Sequence, residues 1–229
     1  MKPNTSVNKL AQKLLSASGR GYKISDEIPS SYLVGEILTR GTQALRGVLR
    51  FRKLVFIAPG VRVRGKRQMS LAKGVSIGSD TIIDARGTRG LVMASGSRLG
   101  RSGIVTTTSH LSLLGTGVTI GKRSGVGDFF HIGASGGVRI GEDVIIGPYL
   151  LVHSQSHNYE DTDKPIREQG TTQAEVVIGD NCWIGSRVTL LAGTKLGPRT
   201  IVAAGAVVRG EHPGGEILAG VPAKAIKSL

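Results

Sequence analysis

The chain has 229 residues, 34 of them Gly and only 4% aromatic, with a formal net charge of +14. That composition excludes a core built on Phe and Trp, and no apolar run approaches the ~20 residues that cross a bilayer. A single cysteine, Cys182, excludes an internal disulfide and suits a reducing compartment. The charge is uneven. Residues 1–70 hold 14 Lys and Arg against three acids, a balance of +11, and the other 159 residues contribute only +3. Few aromatics interleave with the amino-terminal cations and no nucleic-acid-binding motif stands among them, so no nucleic-acid partner is expected.

Residues 1–53 form the first segment and show no repeat. Their start, MKPNTSVNKLAQKLL, lacks the continuous apolar stretch of a signal peptide, so a cytoplasmic location is expected. Tyr32 to Lys53 predicts a helix. Leu33, Val34, Ile37, Leu38, Leu45, Val48 and Leu49 fall on one arc, with Arg46, Arg50 and Lys53 opposite. Arg52 breaks the pattern, and Gly35, Gly41 and Gly47 weaken the helix. Its primary role is read as a cap over the open end of a solenoid. A basic amphipathic helix also suits peripheral contact with an anionic membrane face.

A repeating body starts near Leu54 with IAPGVRV and LAKGVSIGSDTII, loosens over residues 86–118, and is clear from Ile120. Ile178, Ile184, Leu190, Leu196, Val202 and Val208 stand six apart, as do Ile120, Val126, Ile132 and Ile140, Ile146, Val152. Gly follows most of them. Period six is neither 3.6 nor 2, and it predicts hexads of one short strand and one turn, stacked as a parallel β-helix. Gly, Asn, Asp and Ser are expected where the turns need unusual backbone angles. The hexads stop between Val152 and Val176 for a polar loop, where function is expected on a rigid base. After Val208 the tail RGEHPGGEILAGVPAKAIKSL leaves the pattern.

Three blocks narrow the reading: Ile146-Gly147-Pro148 through His157-Asn158-Tyr159-Glu160-Asp161 to Gly170; Cys182-Trp183-Ile184-Gly185-Ser186; and Ala219-Gly220-Val221-Pro222-Ala223-Lys224. Over about residues 54–229 the chain resembles the hexapeptide-repeat acyltransferases, especially the sugar O-acetyltransferases of bacterial surface-polysaccharide pathways. The resemblance implies an all-β left-handed parallel β-helix, an exception to the right-handed crossover rule. It implies a body over 54–210 with an active-site loop at 153–175, and a CoA-contacting tail at 211–229. It also implies a homotrimer that binds acetyl-CoA between neighbouring subunits.

The same resemblance assigns candidate roles. His157 lies nine residues after Pro148, the family's spacing for its catalytic histidine. Neutral imidazole suits removal of a proton from a sugar hydroxyl as it attacks a thioester. Glu160, Asp161, Asp163 or a backbone carbonyl are the candidates for orienting its ring, and Gln155 stands where related loops often carry a further histidine. Trp183 is expected beside cofactor or acceptor, Ser186, Ala204 and Gly205 along the pantetheine channel, and Lys224 and Lys227 near the CoA phosphates. Arg209 substitutes for a Lys that family members often have one residue later. Asp128 and His131 are candidates for touching the acceptor, with a bland turn position the alternative for Asp128. Cys182 reads as a small buried apolar group. A zinc site from His131, His153 and His157 is the competing constellation, but the histidine spacing and the Ala-Gly-Val-Pro-Ala-Lys tail set the chain apart from hexapeptide-repeat carbonic anhydrases.

The reading is thus an O-acetyltransferase that moves acetyl from acetyl-CoA to a sugar or lipid-linked oligosaccharide without a metal. The alternatives are N-acetylation of an amino sugar nucleotide and a non-catalytic scaffolding solenoid.

Overall fold

An apolar side chain every six residues has one simple burial solution: a triangular coil in which each side consumes one hexad and points its aliphatic residue at a shared axis. The computed structural model describes residues 8–13, 23–25, 27–110 and 113–229 and shows that solution. The chain visits three parallel sheets in fixed order. The first has nine strands, beginning with Phe56–Ile57; the second has seven, from Arg62–Arg64 to Val207–Val208; the third has seven, from Met69–Leu71 to Glu211–His212. Late in the body the step is regular, with Trp183 paired to Ile201 and Thr189 to Val207, eighteen residues on. All six residues from Ile178 to Val208 in the longest run are at most 2% exposed. Parallel pairing continues past residue 210, through Glu211–His212 and Glu216–Gly220, before the antiparallel strand Ala223–Ser228 closes the first sheet.

Glycine at the border between first and second sheets is a packing requirement. A Cβ on Gly100 would lie 2.5 Å from the Gly127 backbone, and one on Gly127 would lie 2.5 Å from that of Gly147. The coils touch there main chain to main chain. Two residues after each of these border glycines, φ turns positive. The residues there include not only Asp80 and Ser102 but Phe129, Tyr149 and Arg187, against the expectation of Gly, Asn, Asp or Ser. Contacts between coils offset the cost of that backbone. The Phe129 and Tyr149 rings stack at 5.1 Å, with Arg101 5.7 Å from the Phe129 ring centre and Arg187 5.5 Å from that of Tyr149.

Both long insertions leave from the border between second and third sheets. One is the loop around residues 107–116, which accounts for the loose register over 86–118; Leu99 and Val118 on either side of it are buried in their strands. The other carries the strands Gln155–His157 and Thr171–Gln173, paired antiparallel.

The amino-terminal helix spans Ser30–Phe51 and packs along the first sheet, with Gly47 against Val55 of the first coil and Arg40 Nη1 donating to Ser76 Oγ of the second at 3.4 Å. Its apolar arc is not the docking face. Leu33 is buried and Ile37 half-buried, but Val34, Leu38, Leu45, Val48 and Leu49 are 42–75% exposed. The inner arc is Leu33, Ile37, Arg40, Ala44, Gly47 and Phe51. A Cβ on Gly47 would fall 1.8 Å from the Val55 carbonyl oxygen, so the helix seats where it has no side chain. Arg40 lies 5.3 Å from the Phe56 ring centre, and Arg50 Nη1 donates to the Val61 carbonyl at 2.8 Å. Among the described residues, no helix is long and apolar enough to cross a membrane.

Candidate active site

The polar loop is a self-tied hairpin. Its stem pairs Gln155 with Gln173, Ser156 with Thr172 and His157 with Thr171. Beyond the stem, Gln169 holds the tip. Its Oε1 accepts from the Asp161 amide at 3.0 Å, and its Nε2 donates to the Asp161 and Lys164 carbonyls at 2.7 and 2.9 Å. Asn158 adds a bond from Nδ2 to the Gln169 carbonyl and accepts from Thr172 Oγ1 at 2.7 Å. A segment this polar cannot bury a core of its own, so hydrogen bonds set its shape.

His157 ends the first strand of that stem and is exposed. No hydrogen bond joins its ring to the three loop acids. Glu160 accepts from the Tyr159 amide, and Asp161 is paired with Lys164 at 2.7 Å. Gln155 accepts from Ser109 Oγ at 2.9 Å, and Ser109 is bonded by Ser135. Residues 155 and 157 share one side of a strand. Ser109 therefore flanks the side of the hairpin that carries His157. His110 follows Ser109 directly in that segment, and the only signal for it in the sequence was a histidine inside a second break of phase.

His131 and His153 are neighbours on the outer face of the second sheet, edge to face at 6.0 Å, with Gly133 paired to His153. Burial, and then the neighbouring His153, hold the His131 imidazole below its ordinary value. The unfolded chain therefore binds a proton at 131 more readily than the folded chain does, so stability should be complete above about pH 6.5 and fall as pH drops below it. His131→Gln should flatten that fall, as checked by denaturant midpoints at pH 7.5 and 5.5. Among the described residues, no three His, Cys, Asp or Glu gather in a way that could hold a metal ion.

The other candidates lie elsewhere on the prism. Asp128 sits on the border of first and second sheets, engaged by the Arg101 amide at 3.0 Å and the Arg101 Nε at 3.1 Å. Ser186, Ala204 and Gly205 share that border, and the Gly205 amide donates to the Ser186 carbonyl at 2.9 Å. A Cβ on Gly205 would meet nothing within 4 Å, so the space beside it is open. Trp183 stands on the outer face of the first sheet, 56% exposed, between Ile145 and Ile201. Lys224 and Lys227 are exposed on the closing strand. Arg209, exposed, turns the border of second and third sheets below the hairpin. Cys182 is 2% exposed, and burial raises its thiol pKa, which fits a packed core group and not a nucleophile. One chain therefore does not gather its candidates into one cleft. His131 and His157 belong to the second sheet and its far border, whereas Trp183, Ser186, Ala204 and Gly205 belong to the first sheet and its near border.

Residues 175–210 match the family described as bacterial transferase hexapeptide (six repeats), over strands that show the hexad geometry directly. Residues 175–210 therefore carry the hexapeptide repeat of that family. Two curated relatives align with parts of it. "Putative lipopolysaccharide biosynthesis O-acetyl transferase WbbJ" of Escherichia coli is 36% identical over 109 residues, 44% of this chain and 56% of that protein. "Probable acetyltransferase Rv3034c" of Mycobacterium tuberculosis is 35% identical over 91 residues, 40% of this chain and 30% of that protein. The chain thus aligns with about half of one relative's length and under a third of the other's. Among solved structures, a point mutant of AntD, an N-acyltransferase from Bacillus cereus in complex with dTDP and coenzyme A, is 15% identical with a TM-score of 0.49, over 76% of this chain and 80% of that one. At that distance it adds nothing about chemistry.

Proposed function

We propose that this hexapeptide-repeat protein transfers an acetyl group from acetyl-CoA to a sugar hydroxyl of a surface polysaccharide or its lipid-linked precursor. The observation that carries the reading is the hairpin: a rigid coil presents an exposed histidine on a loop tied by its own hydrogen bonds. The name of the E. coli relative supports a polysaccharide acceptor and O-acetylation. In the proposed step, His157 takes the hydroxyl proton as the sugar oxygen attacks the thioester carbonyl. The tetrahedral adduct collapses with cleavage of the C–S bond, and the proton passes from the imidazolium to the departing CoA thiolate. Ser186, Ala204 and Gly205 would line the pantetheine arm where side chains are small, and Arg209, Lys224 and Lys227 would meet the phosphates as point charges and donors. Asp128 and His131 remain acceptor candidates in this scheme, and no step of it requires a metal.

The division of these residues between two sides of one prism supports a homotrimer in which the hairpin of one copy faces the first-sheet side of the next. The ridge of exposed Ile145 and Trp183 and half-buried Ile201 is suited to lie in such a cleft. Three experiments test this. Acetyl-CoA should release free thiol with some member of a panel of sugars, nucleotide sugars and lipid-linked oligosaccharides, and an amino sugar nucleotide as sole substrate would select N-acetylation instead. Mixing His157→Ala subunits with Trp183→Ala subunits should restore activity that neither variant has alone. A fully active monomer in sedimentation would sink the shared site. The proposed scheme places the enzyme in the cytoplasm, where acetyl-CoA is available.

A further inference from the structure

We infer that the side of the solenoid that carries the helix Ser30–Phe51 is a docking face for an anionic lipid bilayer, with the helix lying flat and its outer arc immersed. Three observations converge on this. First, the helix docks through Gly47, Arg40 and Phe51 and leaves a continuous apolar stripe in solvent: Val34 42%, Leu38 65%, Leu45 59%, Val48 47% and Leu49 75% exposed. Exposing that much aliphatic surface on one side of one helix is unfavourable in water, and it calls for a partner. Second, beyond Glu36, an exposed acid on the same helix, the charge beside the stripe has one sign. Between Glu36 and Asp80 stand ten Lys and Arg and no acid. Of these, Arg46, Arg52 and Lys53 flank the stripe exposed, and Arg62, Arg64, Lys66 and Arg67 are exposed on the first coil beside it. Third, the positive excess belongs mainly to this part of the chain: residues 1–70 carry +11 and the other 159 residues +3. Farther along the solenoid, Arg101, Arg123, Arg139 and Lys195 each face a carboxylate within 4 Å.

The charge decides between occupants. In a second copy seated on the same stripe by a twofold axis, the two cationic rims would oppose each other. Anionic headgroups neutralise the rim while acyl chains receive Leu38, Leu45 and Leu49. Apolar insertion and headgroup attraction are separate contributions, so attachment should be reversible and salt-sensitive. The helix lies on the surface and does not span it. The side of the early coils that carries the helix would then face the membrane, a placement that suits a lipid-linked acceptor but does not depend on catalysis.

The test is co-sedimentation of the full chain with vesicles of phosphatidylglycerol and phosphatidylcholine, or of phosphatidylcholine alone, at 50 and 500 mM salt. Binding to the anionic vesicles at low salt should be at least about tenfold stronger, with most of the difference lost at high salt. Leu38→Glu with Leu45→Glu should abolish binding at unchanged circular dichroism, because both positions are exposed and outside the docking arc. Arg46→Glu with Lys53→Glu should remove the anionic preference alone. Equal binding to the two vesicle types, or none, overturns the inference. So does a change of oligomeric state in the Leu38→Glu/Leu45→Glu variant without loss of vesicle binding, which would assign the stripe to a second copy. Because sedimentation reads binding only, failure here leaves the acetyl-transfer proposal standing, and an inactive but vesicle-bound chain would separate the two in the other direction.

Discussion

Replacing His157 with alanine should lower acetyl transfer ~10²–10⁴-fold, the usual contribution of a positioned general base. The substitution removes an exposed side chain at the end of the hairpin stem, and none of the bonds that shape the tip passes through it. The loop should therefore keep its form, and CoA binding should change little. The loss belongs in kcat, not in the KM for acetyl-CoA. Steady-state thiol release at saturating acetyl-CoA, with CoA affinity measured separately by calorimetry, checks both halves. Turnover near that of the parent chain would remove His157 from the role and move attention to His110, which follows Ser109, or to the His131–His153 pair.

The second large effect is on stability and concerns a size exchange within the core. Phe130 is 2% exposed and is among the largest fully buried side chains. One coil earlier the corresponding residue is Gly103, and a Cβ there would sit 2.0 Å from Phe130 Cε1. Elsewhere in the same column the chain has Val61, Leu150 and Val188, all buried. The Phe ring has taken the volume its neighbour gave up. Phe130→Ala should cost about 3–5 kcal/mol by leaving a cavity that backbone-locked coils cannot close. Gly103→Val alone should also destabilise, because the ring cannot retreat. Combined with Phe130→Val it should cost clearly less than the two single changes added together, since both positions then approach the size of their column. Denaturant midpoints for the singles and the double variant measure the coupling. Strict additivity would show that the two sites do not share volume.

Much of this molecule is periodic, and periodic features are local enough to be legible in sequence. The hexad run from Ile178 to Val208 specified the buried residues one by one, because a triangular coil offers one inward position per side. The break at Val152–Val176 likewise marked the hairpin, since polar residues out of phase cannot enter so narrow a core. The three-dimensional arrangement decided what depends on residues far apart in the chain. Which border of the prism carries His157 and which face carries Trp183 follows from how many residues each coil consumes, and one insertion moves everything after it. The contact of Ser109 with Gln155 spans 46 positions and comes from stacking, so Ser109 met the hairpin only in the folded chain. The helix shows the limit most clearly. Its hydrophobic pattern identified an apolar arc correctly, yet the helix docks by another side. Hydrophobicity ranks faces by their gain on leaving water, but docking also requires close approach. Gly47, which weakens the helix as a sequence element, is what lets its backbone reach Val55.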